Sequence, residues 1–151
     1  MGPAVPGVEI EREIGRGASS TVYLATQVRF GRKVAVKVID LPGRDAVADK
    51  LFTTECRTLG RMTGHPDIVT VFDGGVSEDG RPYLVMDYLP GGTLAERLAE
   101  HGPYDTADAV AIGIRLCGAL ETAHRHGIVH GDVKPQNVLR SPVGDPALAD
   151  F

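Results

Sequence analysis

The 151-residue sequence predicts an α+β fold in two lobes, an antiparallel β-sheet with one helix first and a mainly helical part after it. Three observations carry this expectation. Apolar and polar residues alternate in short runs before residue 90, the period of half-buried strands. Beyond residue 92 the apolar spacing changes to three and four, the period of a helix face. Gly91-Gly92 stands at the seam, where a hinge would lie.

Each element follows from local pattern. Val8, Ile10 and Ile14 alternate as a first strand, interrupted by "GRGASS" at 15–20. Alternation resumes in "TVYLATQV" at 21–28 and again in "KVAVKVID" at 33–40, with the turn "FGR" between them. "LPG" at 41–43 breaks the sheet, and from Asp45 to about Met62 Leu51, Glu55, Leu59 and Met62 share one helical face. "VTVFDGGV" and "RPYLVMDY" form a hairpin around "SEDG". Thr93 with Glu96 makes a capping box for a short helix ending near Gly102. A longer helix runs from Thr106 to His126, with Ile112, Leu116, Leu120 and Ala123 on one stripe and Gly127 as its stop. The implied division is a tail at 1–7, a first lobe at 8–86, a hinge at 87–92 and a second lobe at 93–151.

Composition excludes several classes. A hydrophobic content of 42% with 24% charged residues is that of an ordinary folded domain, not a disordered chain. A formal net charge of −4 argues against binding nucleic acid through bulk electrostatics. No 18-residue apolar run occurs, and "MGPAVPGVEI" lacks the basic and apolar regions of an export signal, so a cytoplasmic chain with no membrane segment is expected. Cys56 and Cys117 both fall in helical patterns and are expected as reduced thiols, not a disulfide.

Three local features bear on chemistry. Gly15-x-Gly17 is by itself only a hairpin turn, yet a strand follows it, so neither a dinucleotide-binding turn nor a Walker loop fits. What remains is a hairpin tip of unobstructed backbone N–H groups, a shape able to cover phosphates, with Ser20 where a third glycine often sits. In the strand 33–39, Lys37 shares a face with Ala35 and Ile39, and Glu55 lies on the stripe of the next helix. Either the two charges pair, because desolvating one alone is costly, or Lys37 reaches solvent and Glu55 sits at the stripe's edge.

The third feature is "IVHGDVKPQNVLR" at 128–140. A polar loop after a helix stop is often only a loop. Phosphoryl transfer to an alcohol, however, needs an oriented nucleophile, a cation near the moving oxygens and oxygen ligands for Mg²⁺. Asp132 suits the first need, Lys134 the second, and the Asn137 amide oxygen with the Asp150 carboxylate the third, with Pro135 stiffening the loop. His130 reads as a packed, hydrogen-bonded residue and not a base. His124 and His126, two residues apart, point away from each other, so no zinc site is expected.

Taken in order, "IGRGASSTVYLA", "VAVKVI", Glu55 before "TLGRMTGHPDIV", "YLVMDYLPGGTL", "IVHGDVKPQNVL" and the final "ADF" resemble the protein kinase family, specifically a bacterial-type (Hanks-type) serine/threonine protein kinase. The resemblance implies the two-lobed protein-kinase-like fold. It implies that Gly15 and Gly17, with Ser20 in the same loop, cover the phosphates of ATP, and that Lys37 contacts the α- and β-phosphates and pairs with Glu55. It makes Asp132 the catalytic base and Asn137 and Asp150 the Mg²⁺ ligands, with Lys134 the cation near the phosphoryl oxygens. It places adenine against Ile14, Val22, Ala35 and Leu139, with Met86 as gatekeeper and the backbone of Asp87 to Leu89 as hinge. "KPQN" resembles the Ser/Thr version, so the implied partner is a protein with an acceptor Ser or Thr.

The sequence also departs from the family pattern. Gly131 replaces the usual arginine of "HRD", which implies that activity does not depend on an arginine–phosphate contact there. The chain stops at "LADF", before the glycine of "DFG", so the second lobe is expected to be incomplete and the chain a fragment with little or no activity of its own. Two other readings are open. "HGD" followed five residues later by Asn137 also resembles aminoglycoside/choline-type phosphotransferases, and an ATP-binding pseudokinase or scaffold would keep the same nucleotide site.

Overall fold

The computed structural model describes residues 3–40, 56, 59–62 and 64–151, and these form two compact units. The first comprises Met1–Gly60 and Val71–Tyr88, the second Arg61–Thr70 and Leu89–Phe151.

The first unit is a twisted antiparallel sheet. Its strands are β1 (Val8–Arg16), β2 (Ser20–Gln27), β3 (Arg32–Ile39), β4 (Val71–Val76) and β5 (Pro82–Asp87), in the order β1-β2-β3-β5-β4. Strand β3 shows why the sheet buries one face. Val34, Val36 and Val38 are each 0% exposed and pack with Ala25, Tyr83, Val85 and Val5. Burying these β-branched side chains contributes roughly 1.5–3 kcal/mol each, the main drive for this sheet. Val5 joins the core from ahead of β1, and Glu78 N donates to Ala4 O, so the residues before the first strand are tied to the β4–β5 turn.

The alternate residues of β3 lie on the opposite face. Register places Val22, Lys37 and Leu84 on one rung and Leu24, Ala35 and Met86 on the next. The helix expected over 45–62 lies mostly outside the described residues; residues 56 and 59–61 are helical.

The second unit is built on two helices, α1 (Leu94–His101) and α2 (Thr106–Arg125). The capping box of α1 is complete. Thr93 Oγ1 accepts from Glu96 N at 3.1 Å, and Glu96 Oε2 accepts from Thr93 N at 2.7 Å. Asp105 caps α2 through Asp108 N, and Gly127, at φ +76°, turns the chain off its far end.

After a 3-10 turn at Pro135–Asn137, β6 (Val138–Arg140) and β7 (Pro146–Leu148) form a small antiparallel pair that the sequence pattern did not predict. Three residues are too few to display a period. Leu148, 0% exposed, also exchanges backbone bonds with the segment 67–69: its N–H donates to Asp67 O and its carbonyl accepts from Val69 N. That segment therefore belongs to the second unit. Among the described residues no helix is long and apolar enough to cross a membrane.

Candidate active site

The site residues expected from sequence fall into two groups, one in each unit. In the first unit, Gly15 pairs with Val22 at the tip of the β1–β2 hairpin, and Gly17 N donates to Ser20 O at 2.8 Å. Ile14, 36% exposed, sits at the irregularity between Glu13 and Gly15. Ser20 opens β2 opposite Ile39. Neither glycine has positive φ, and a Cβ would meet nothing closer than 3.9 Å at Gly15 or 3.6 Å at Gly17. The loop's own packing therefore does not require them. Leaving Cβ off these two residues keeps the backbone open to an outside group, the property a phosphate-covering loop needs.

Behind this tip the sheet lines up Val22, Ala35, Lys37 and Met86 on one face, with Asp87 paired to Val34 at the end of β5. Lys37 is half-buried among apolar neighbours. Its expected partner Glu55 lies outside the described residues. Leu89, half-buried, is the residue at which the chain enters the second unit.

In the second unit the loop 130–137 draws two side chains onto one carboxylate. Lys134 Nζ donates to Asp132 Oδ2 at 2.6 Å, and Asn137 Nδ2 donates to the same oxygen at 3.1 Å and to Asp132 O at 2.9 Å. The Lys134 ammonium, directly bonded, is the main reason the Asp132 carboxyl is held below its ordinary range, with Asn137 assisting. Asp132 and Lys134 are exposed, whereas Asn137 is 8% exposed. Both side-chain bonds of Asn137 come from its amide nitrogen, so its carbonyl oxygen faces none of these partners.

His130 anchors the loop. It is 8% exposed, its Nδ1 accepts from Asp132 N at 3.2 Å and its Nε2 contacts Ala149 O at 2.7 Å. The neutral Nε2–H tautomer satisfies both bonds at once, leaving no nitrogen to act as a base. Its ring also packs 4.7 Å from that of Phe151. Ala149 N in turn donates to Asn137 O at 2.9 Å. These bonds hold the end of β7 beside the loop and bring Asp150 just past it. Asp150 is exposed and has φ +62°, the only positive φ among the described non-glycine residues. Leu139, half-buried in β6, pairs with Ala147 and bridges to Thr93.

Asn137 and Asp150 offer a neutral carbonyl oxygen and a carboxylate, the hard oxygen donors that Mg²⁺ prefers. The donor set fits such an ion. Sequence reasoning did not single out Arg115, Asp67 or Asp145, which form an ion-paired cluster in this unit. A signal was present: Arg115 stands four residues before Ala119 and eight before Ala123, both 0% exposed, on a stripe otherwise apolar.

Comparison with known proteins identifies the family. The model of the protein kinase domain family matches residues 8–151. The chain is 45% identical over 147 residues to the serine/threonine-protein kinase PknK of Mycobacterium tuberculosis, covering 96% of this chain and 13% of that protein. It is 43% identical over 146 residues to PknL of the same organism, covering 94% of this chain and 35% of that protein. The crystal structure of a point mutant of the M. tuberculosis PknI kinase domain superimposes with a TM-score of 0.84 at 30% identity, over 100% of this chain and 62% of that one. The chain thus spans about an eighth and about a third of these two curated relatives.

Proposed function

Because the chain belongs to the protein kinase domain family, we propose that it carries the first part of the catalytic apparatus of a serine/threonine protein kinase, which moves the γ-phosphoryl group of ATP to a Ser or Thr hydroxyl of a protein. The observation that carries this reading is the bonding at Asp132: one carboxylate oxygen is engaged by Lys134 and Asn137, on a side chain that remains exposed to solvent.

The roles follow from chemistry. Asp132 stays ionised at neutral pH and accepts the hydroxyl proton of the acceptor. Lys134, already beside it, offers positive charge to the transferring oxygens. Asn137 and Asp150 would hold Mg²⁺, which when bound neutralises phosphate charge. In the first unit, Gly15 and Gly17 let backbone N–H groups approach phosphates, with Ser20 at the loop's base, and Lys37 contacts the α- and β-phosphates. Ile14, Val22 and Ala35 take adenine contacts, Met86 is the gatekeeper, and the backbone from Asp87 to Leu89 supplies the hinge bonds. A cytoplasmic location accords with the use of ATP.

A radiolabelled-ATP transfer assay on a generic protein substrate tests the reading, run on this chain and on a version extended at its C-terminus. Transfer that Asp132→Asn lowers by about 10²-fold or more is the expected result. Transfer to aminoglycosides or choline in place of protein would instead favour a small-molecule phosphotransferase. Nucleotide-dependent melting shifts without transfer would favour a binding module.

A further inference from the structure

The ion-paired cluster in the second unit has no part in the roles assigned above. Arg115 lies midway along α2, and its guanidinium reaches in two directions. Nε and Nη2 donate to Asp67 Oδ1 at 2.8 and 2.6 Å, and Nη1 is bonded to Asp145 Oδ1. The Asp67 side chain is 9% exposed, that of Arg115 35% and that of Asp145 49%. The cluster thus has a buried end at Asp67 and a wet end at Asp145.

Its two carboxylates flank one strand. Asp145 is the residue immediately before β7, and it closes the turn from β6 through Ser141, whose Oγ accepts from Asp145 N at 3.0 Å. The backbone carbonyl of Asp67 accepts from the N–H of Leu148, the last residue of β7, at 2.8 Å. Arg115 therefore ties the start of the strand to the segment that pairs with its end. A three-residue strand has too few ladder bonds to fix its own register, and a slip of one residue reverses every side chain. Such a slip would turn Leu148 out of the core and displace the Ala149 bonds to His130 and Asn137. Asp150 follows directly, so the point from which its side chain leaves the backbone moves with β7.

We propose that Arg115 is a positioning residue for Asp150: by bridging Asp67 and Asp145 it fixes β7, and through β7 the point at which the Asp150 carboxylate meets a divalent cation. This rests on the reading of Asp150 as a metal ligand. Groups that orient a ligand without touching the metal commonly change metal affinity by about 10–100-fold when removed. A purely structural ion pair would instead affect all nucleotide binding alike.

The test is calorimetric titration of the full chain with ATP, once with Mn²⁺ and once with EDTA, the ratio of the two affinities being the metal-linked gain. Arg115→Met and Asp145→Asn are expected to lower that gain by about tenfold or more while leaving affinity in EDTA as in the parent. Arg115→Lys, which keeps the charge but not the fork, is expected to fall between. An unchanged gain, or equal losses with and without metal, overturns the inference. If Arg115→Met does not fold, Asp145→Asn decides alone, since it alters only the exposed end and leaves the Asp67–Arg115 pair intact. Asp150→Asn separates the two layers. A gain abolished by Asp150→Asn but untouched by the other variants removes only the clamp, whereas a gain untouched by Asp150→Asn removes the metal-ligand reading and the clamp with it.

Discussion

The imidazole of His130 reaches the carbonyl oxygen of Ala149 at 2.7 Å, joining the loop that carries Asp132 to the strand end that carries Asp150. The ring's other nitrogen accepts from Asp132 N. One buried side chain thus satisfies a backbone acceptor and a backbone donor nineteen and two residues away.

His130→Phe preserves the ring beside Phe151 and removes both bonds. Two backbone groups lose their partners, one of them at Ala149, which is 8% exposed, so the variant is expected to be less stable by about 1–3 kcal/mol. Urea denaturation measures it; an unchanged midpoint would show that the two bonds contribute no net stability.

Lys134→Met acts on Asp132. With the ammonium gone, the main cause of the lowered carboxyl pKa disappears, and the value rises toward the ordinary carboxylate range. A depressed pKa keeps the base ionised to lower pH, so the acid limb of any pH–rate profile moves upward in the variant. Carbon-13 NMR titration of the Asp132 carboxyl reads the shift without relying on activity; a downward or absent shift contradicts the assignment.

Gly91→Ala and Gly131→Ala separate crowding from backbone strain. A Cβ on Gly91 would lie 2.5 Å from Arg140 O and 2.6 Å from Ser141 O, backbone atoms that cannot swing aside. Overpacking of this kind costs about 1–3 kcal/mol and here also parts Gly91 N from Arg140 O. Gly131 has open space around it but φ +75°, so alanine there costs about 1–2 kcal/mol from the left-handed backbone alone. Thermal unfolding of both variants, with a loop-contact change in NMR spectra only for Gly91→Ala, is the expected pattern.

Acid sensitivity of the first unit is expected at the β4–β5 turn. Asp79 is lowered to about 2 by its bonds to Arg81 first and Ser77 second. Its folded pKa lies below its unfolded value near 4, so its contribution is full above about pH 4 and is lost as pH falls toward about 2. The Asp79 side chain is 48% exposed and the pair is solvent-screened, which limits the effect to under about 1 kcal/mol. Asp79→Asn should remove that acid-dependent part, seen as a flatter stability curve between pH 4 and 2.

Much of this molecule was legible from residue order. The strands β1 to β5 and both helices announce themselves by period, because burial on one face forces alternation in a strand and three-four spacing in a helix. The capping box at Thr93 and Glu96 and the stop at Gly127 are equally local, since each needs only neighbouring backbone groups. The residue types at 132, 134 and 137 likewise suggested phosphoryl chemistry, because proton acceptor, cation and oxygen ligand are properties of single side chains.

Spatial pairing was another matter. The pair β6–β7, the parallel bridge of Ile68 to Leu148 and the Arg115 cluster join residues 30 to 80 positions apart or strands too short to show a period. His130 was legible as a packed residue, but its bond to Ala149 was not. Sequence alone determined which segments bury a face and which side chains carry reactive groups, since both are local properties. Tertiary structure alone decided which of those groups meet, because a hydrogen bond or ion pair depends on distances that folding sets and chain order does not encode.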